Sequence, residues 1–403
     1  MTRPARVLIS AGEASGDLYG GLLMRAIASG AAADARAAAG PAATVEFTGI
    51  GGPAMRAAGL RPVADASVMG VTGVVEVVER FRDIWRAFRA AGARLRRPET
   101  RPDIAILIDY PDFNLRLARR CRAAGVPVLY FISPQVWAWR RGRVATMAGV
   151  VSKVLVILPF EAEIYRAAGV AVEFVGHPLL DLAAASRTPR QERARLGLDP
   201  NRPLVALLPG SRRNEVGAHL APMLGAAGRL AAEFRDVQFV MPVAPTCDRR
   251  DLAERVAALA GQGPRPVLVT DDRYDAVAAA DCAVVASGTA TLETALLGVP
   301  MVIVYRMNPV THLLARLLTR LPHIGMPNLI VGRRLVPELV QGDCTPERIA
   351  FEIRALLTDP ARAAAARQGL AEVRGRLGEP GAIGRAAAAA WDMIRARSGG
   401  SEA

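Results

Sequence analysis

The sequence predicts an α/β protein made of two Rossmann-like, doubly wound halves that face a central cleft. Three observations carry this expectation. Short apolar runs alternate with helix-period segments along the chain, several runs end in loops of glycine, serine and acidic residues, and a polar, proline-containing stretch falls near the middle. The length of 403 residues suits two domains at about 100–200 residues each.

The runs are Arg6 to Ser10, Glu46 to Ile50, Ile104 to Ile108, Pro127 to Ile132, Lys153 to Leu158, Leu204 to Leu208, Gln238 to Met241, Val267 to Val269, Cys282 to Val285 and Met301 to Val304. They read as buried parallel strands. Between them, sets such as Leu22, Leu23, Ala26 and Ile27, or Leu292, Ala295 and Leu296, repeat at helical spacing. From Gly176-His177-Pro178 to Pro203 the chain is polar and arginine-rich, which predicts an interdomain linker with His177 steadying its loop. The expected domains are residues 1–180, 181–360 and an Ala/Arg-rich helical tail, 361–403, whose end is expected to be disordered. In such folds ligands bind at the carboxyl ends of the strands.

Composition narrows the function classes. Apolar residues make up 51% and charged residues 22%, so the chain reads as globular and soluble. No run of about 18 uncharged apolar residues occurs, and Met1 to Arg6 lead directly into Val7-Leu8-Ile9, so a cytoplasmic location is expected. Cys121, Cys247, Cys282 and Cys344 are widely spaced, which suggests buried thiols rather than disulfides or a cysteine zinc site. The net charge of +13 favours an anionic partner. However, 50 of the 51 basic residues are arginine, a bias that devalues any single arginine. The lone lysine, Lys153, lies in a strand-like run, which excludes a Walker A loop and a Schiff-base enzyme.

The first run ends in Ser10-Ala-Gly-Glu-Ala-Ser-Gly-Asp17, a small-residue loop that opens a helix. It is either a tight turn capped by Ser15 or Asp17, or a place where a ligand approaches the backbone, with Glu13 facing the cleft. Gly49-Ile-Gly-Gly-Pro-Ala54 formally matches the dinucleotide fingerprint, but no acidic residue follows at the right place, so a tight turn is preferred. The run through Ile108 ends in Asp109-Tyr-Pro-Asp112-Phe-Asn114. Asp112 or Asn114 is expected to cap the following helix, and Asp109 is the candidate general base or else a turn residue.

In the second half, Pro209-Gly-Ser211-Arg212 offers close backbone and hydroxyl contacts and a guanidinium suited to phosphate. Ser287-Gly288-Thr289 sets hydroxyls and amides at a helix start, an anion cradle, and Glu293 either holds a ribose or completes a capping box. Ser67 to Val78 is apolar and glycine-rich, and Glu79 to Arg97 adds Phe81, Ile84, Trp85 and Phe88 at helical spacing beside seven arginines. This is an interfacial helix for anionic lipid or, in the plainer reading, core packing. Thr311 to Arg320 is a second basic amphipathic segment. No HExxH or GxSxG motif occurs, so metal and serine-hydrolase readings are poor.

Taken in order, SAGEASGD, GIGGPAM, SVMGVTGVVEV, DYPDFN, SPQVWAWRRGR, LPFE, GHPLLD, LLPGSR, ASGTATLE, YRMNP and MPNLIVGR resemble the lipid-A-disaccharide synthase family of GT-B glycosyltransferases, over about Val7 to Leu357. The resemblance implies that UDP-2,3-diacylglucosamine donates its sugar to 2,3-diacylglucosamine 1-phosphate. The products would be a β-1,6-linked disaccharide 1-phosphate and UDP, formed with inversion and with no cofactor or required metal. It implies Asp109 as base, with Glu13 left as the other candidate, and Arg212 with the Ser287 to Thr289 amides as the diphosphate's counter-charge. It also places Glu293 at the ribose, Asn328, Ser211 and Arg306 near the nucleotide or diphosphate, and Glu13, Ser15 and Met69 on the acceptor side. Acyl chains would use the apolar Met69 to Val78 region. Arginines would attract the acceptor phosphate and an anionic inner-membrane surface, giving peripheral attachment. The GT-B habit implies that the tail returns to the first domain. A homodimer is left open, and no nucleic acid is expected because RNP1, KH and finger signatures are missing. The rival readings are another GT-B UDP-sugar transferase or UDP-sugar epimerase, a NAD-dependent oxidoreductase and a nucleotide- or RNA-binding protein.

Overall fold

Five consecutive apolar residues, Ile104 to Ile108, make sense in a strand only if both faces of its sheet are covered, and all five are fully buried. The computed structural model describes residues 3–30, 44–65, 81–134, 142–307 and 322–399. The chain forms two units, Met1–Pro178 with Gly378–Ala403, and Leu179–Leu377.

In the first unit the strands are β1 (Ala5–Ala11), β2 (Val45–Gly51), β3 (Arg61–Asp65), β4 (Ile104–Ile108), β5 (Val128–Phe131), β6 (Lys153–Val156) and β7 (Val172–Phe174). They pair in parallel in the order β3-β2-β1-β4-β5-β6-β7. In the second unit β8 (Leu204–Leu208), β9 (Gln238–Pro242), β10 (Val267–Val269), β11 (Cys282–Ala286), β12 (Met301–Tyr305) and β13 (Glu338–Val340) pair in parallel as β10-β9-β8-β11-β12-β13. Both orders reverse direction once, beside the first strand of each sheet. The crevice outside the carboxyl ends at such a reversal is the ligand position of open α/β sheets. In the first unit it lies between β1 and β4, and in the second between β8 and β11.

Three strands absent from the sequence reading, β3, β7 and β13, are all sheet edges. These three are partly solvated and lack the continuous apolar run that marks central strands; no residue of β7, for example, is fully buried.

The arginine-rich segment expected to be the linker is instead part of the second unit. Asp275 accepts the backbone amides of Ser186 (2.7 Å) and Arg187 (2.6 Å), and buried Arg193 donates to the carbonyls of Ala279, Pro200 and Arg202. These bonds satisfy the polar groups within the fold, so polarity here does not signal a free connector. The tail also divides. Helix Pro360–Arg376 packs on the second unit's helices, whereas helix Ala382–Gly399 packs on helix Ala14–Ser29 of the first and seats Trp391, whose Nε1 donates to the carbonyl of Ile27 at 3.2 Å. Residues 400–403 lie outside the described residues.

Helix Phe81–Arg96 turns Ala87, Ala91 and Leu95 into the core, with Phe88 edge-on to Phe113 at 5.7 Å. Trp85 is 49% exposed beneath the Arg89 guanidinium. Among the described side chains of that spacing, Phe88 packs against the core and Trp85 stands exposed. Ser67 to Val78, including Met69, and Thr311 to Arg320 lie outside the described residues.

Candidate active site

At the carboxyl end of β4 the chain must turn from a buried strand into helix Pro111–Ala123. It does so through two consecutive residues with left-handed backbone, Asp109 (φ 46°) and Tyr110 (φ 47°). Non-glycine residues pay of order 1 kcal/mol or more for this conformation, so it persists only where surrounding contacts impose it. Those contacts are present. The Asp109 amide donates to the carbonyl of Phe131 at 3.1 Å, and the Asp109 carbonyl accepts from Asn114 Nδ2 and from the Tyr130 hydroxyl, each at 2.7 Å. Asn114 is fully buried, accepts the Ser10 hydroxyl at 2.8 Å and also donates to the carbonyl of Ile108 at 3.0 Å. It therefore ties β1 to the β4 turn and does not cap the helix, contrary to expectation. Asp112 makes no cap bond either and pairs with Arg143 at 2.5 Å.

With its backbone held, the Asp109 carboxyl is pushed up to about 6, first by burial and second by the nearby Glu13 carboxylate. The Tyr110 amide and the Arg143 guanidinium oppose the rise. Glu13 is the residue from which helix Ala14–Ser29 starts, and Ser15, partly buried, lies in its first turn; neither Ser15 nor Asp17 is the cap. The β1–β4 register sets Ala11 opposite Ile108, so the Glu13 loop and the Asp109 turn leave the sheet side by side. Gly12 is required there, since a Cβ would fall 2.5 Å from the Tyr110 ring. Arg143 was not singled out from sequence. Its signal was the basic run that closes SPQVWAWRRGR, hidden among so many other arginines.

Asp17 accounts for the dinucleotide-like motif. Its carboxylate accepts the amides of Gly52 (2.7 Å), Ala54 (2.9 Å) and Met55 (3.1 Å) at the start of helix Pro53–Ala57. The seat that a pyrophosphate would take at a helix N-terminus is filled by the protein's own acid. This removes the basis of the NAD reading.

In the second unit, β8 runs through Pro209-Gly210-Ser211-Arg212 into helix Arg213–Glu233. Gly210 has φ 123° and faces Glu215, where a Cβ would fall 2.6 Å from the Glu215 Cβ. Glu215 takes the amides of Ser211 (3.0 Å) and Arg212 (3.2 Å) and pairs with the Arg212 guanidinium at 3.3 Å. The Ser211 amide is therefore already engaged, in contrast to the expected backbone contact. Ser211 is exposed and the Arg212 side chain is 44% exposed.

At the end of β11, Ser287 donates its hydroxyl to the carbonyl of Ile324 (2.9 Å), and helix Thr289–Leu296 starts from Gly288 (φ 151°) without a side-chain cap. Exposed Gly288 and Thr289 thus open onto first-turn amides that no side chain caps, in space where a Cβ on Gly288 would meet nothing. Glu293 is no capping-box acid. Partly buried, it accepts the Tyr274 hydroxyl at 2.9 Å, and burial holds its carboxyl above the usual range. The pairings Leu208–Val285 and Ala286–Val304 bring the Ser211, Ser287 and Arg306 loops to one sheet edge.

Asn328, expected in the nucleotide or diphosphate region, has its side-chain amide engaged within the protein. It is fully buried; Nδ2 donates to the Val336 carbonyl and Glu338, and Oδ1 accepts the Leu335 and Val336 amides, all at 2.8–2.9 Å. All its bonding capacity is spent inside the protein. Glu338, not foreseen, accepts the Ile324 and Gly325 amides as well, so this pair shapes the segment that Ser287 grips.

Sheet order and loop chemistry define the class, a two-unit Rossmann-like protein of the GT-B kind. Solved structures with this fold include the UDP-GlcNAc 2-epimerase of Neisseria meningitidis bound to UDP-GlcNAc (TM-score 0.61, 11% identity, 98% of this chain and 100% of that one). Another is the calicheamicin glycosyltransferase CalG4 (TM-score 0.58, 16% identity, 99% of each chain). The lipid-A-disaccharide synthetase family model matches residues 7–389, and the chain belongs to that family. Proteins named lipid-A-disaccharide synthase from Syntrophus aciditrophicus and Myxococcus xanthus are 46% and 45% identical to it, over 96% and 98% of this chain and 98% and 99% of theirs.

Proposed function

We propose that the protein transfers the diacylglucosaminyl group of UDP-2,3-diacylglucosamine to the 6-hydroxyl of 2,3-diacylglucosamine 1-phosphate, with inversion. Asp109 carries the reading: a carboxyl whose backbone is locked at a strand end and whose proton affinity is raised to about 6 suits a group that takes a proton near neutrality. In this reading Asp109 removes the acceptor's hydroxyl proton as the oxygen attacks the anomeric carbon from the face opposite the departing UDP. Glu13 raises the basicity of Asp109 and Arg143 limits that rise. Charge growing on the diphosphate is met by Arg212 and by the uncapped amides at Gly288 and Thr289, with the Ser211 hydroxyl and Arg306 beside them. Glu293, held by Tyr274, has its second carboxylate oxygen for a ribose hydroxyl. Ser15 and Met69 belong to the acceptor side.

No helix of the described residues is long and apolar enough to cross a membrane. Exposed Trp85, with Arg82, Arg86 and Arg89 on the same helix, supports peripheral attachment to an anionic cytoplasmic leaflet. Incubation with the two acylated substrates tests the function. Disaccharide 1-phosphate and UDP should form in equal amounts, and UDP-GlcNAc should not replace the acylated donor. Failure to form the disaccharide refutes the proposal, and epimerisation of UDP-GlcNAc would favour the epimerase reading.

A further inference from the structure

Helix Arg213–Glu233 carries one histidine, His219, and its ring is fully buried. Nδ1 lies 3.0 Å from the carbonyl oxygen of Pro209, and Nε2 lies 2.8 Å from the backbone nitrogen of Arg306. A carbonyl only accepts and a backbone amide only donates, so this pair of partners selects the neutral tautomer with the proton on Nδ1. Pro209 follows β8 and Arg306 follows β12, and β11 lies between those strands. The imidazole therefore joins two loops whose strands are about 10 Å apart. One loop carries Ser211 and Arg212, the other Arg306.

We infer that His219 is a positioning residue for the donor: its neutral ring sets the spacing of these two loops, and with it the affinity for a nucleoside diphosphate. The inference rests on the second unit being the donor's seat. Protonation would turn Nε2 into a donor aimed at the Arg306 amide and break that link. Of the groups facing the ring, Glu215 on the same helix favours the proton and the Arg306 guanidinium opposes it; the Tyr305 ring lies 6.1 Å away. Burial outweighs these and holds the imidazole below its ordinary range.

The test is UDP titration calorimetry from about pH 5 to pH 8 on the wild type, His219→Gln and His219→Phe, with hydrogen exchange followed on the peptide containing Arg306. Glutamine sets an amide oxygen near the Nε2 position and can still accept the Arg306 amide. Phenylalanine keeps a ring and loses both bonds. At neutral pH, His219→Phe should bind UDP about tenfold more weakly and exchange its Arg306 amide faster, the loss of the link to Arg306 being worth about that much. His219→Gln should recover most of the affinity and lack the extra acid weakening seen in the wild type. Titration of the UDP phosphate is common to all three proteins, so the difference isolates the ring. A folded His219→Phe protein with wild-type affinity and acid dependence overturns the inference while leaving the donor site standing. A wild type that binds no UDP refutes the donor-site reading itself, and the role given to His219 falls with it. Unchanged Arg306 exchange in His219→Phe would contradict the link directly.

Discussion

Asn114 Nδ2 donates to the carbonyl of Asp109 at 2.7 Å from a fully buried position, and the same side chain accepts the hydroxyl of Ser10 on β1. The candidate base thus stands on a turn whose unfavourable backbone is held by a residue that touches no solvent. Asn114→Ala would leave the Ile108 and Asp109 carbonyls short of a donor and the Ser10 hydroxyl short of an acceptor. The expected cost is ~2–4 kcal/mol of stability, read by denaturant unfolding, together with a lower kcat in the protein that remains folded. A loss below about 0.5 kcal/mol would mean that the turn holds itself.

The pH dependence of turnover should report Asp109. A base works when deprotonated, so kcat/KM should fall with unit slope as pH drops through about 6. Glu13→Gln removes the neighbouring negative charge that raises this value, so the acid limb should move to lower pH. An acid limb that stays put in Glu13→Gln would show that the two carboxyls do not interact.

His177 supplies a second pH effect, on stability rather than rate. Burial lowers its imidazole from the ordinary 6.5 to about 4. Between those values the unfolded chain binds a proton that the folded chain does not, so stability should decline as pH falls from 6.5 toward 4, then level off for this group. The whole effect is at most ~3 kcal/mol. His177→Gln should flatten that part of the stability profile measured by urea unfolding, and an unchanged profile would assign the slope elsewhere.

Attachment to anionic vesicles should be strong at low salt and weak at about 0.5 M salt, where charges are screened within a few ångströms. Trp85→Ala should weaken it at both salt levels, because the indole contributes apolar burial rather than charge. Co-sedimentation with vesicles measures both effects. A protein that stays in the supernatant at low salt would remove the peripheral-membrane proposal.

Much of the fold was legible in the sequence because central strands of a doubly wound sheet are continuous apolar runs; Ile104 to Ile108 and Cys282 to Val285 need no context to be recognised. The edge strand Glu338–Val340 was not, because only its central residue is fully buried. Within the site, strand-end positions were readable from local spacing, as with Asp109 and Ser287. What a polar side chain does once folded was not. Asn328 and Asn114 spend their amides on distant backbone, and Asp17 fills a helix start 35 residues along the chain. Such long-range bonds have no sequence period, and in a chain with so much arginine neither Arg143 nor Arg212 stands out by type alone.

The central proposal is that Asp109 and Arg212 each contribute to the glycosyl transfer. Single-turnover formation of the disaccharide 1-phosphate, measured with saturating acylated substrates for the wild type, Asp109→Asn and Arg212→Ala, tests it most directly. The account predicts losses of about 10²–10⁴ for Asp109→Asn and about 10²–10³ for Arg212→Ala, with unfolding curves like the wild type's. Wild-type turnover by folded Asp109→Asn would contradict it.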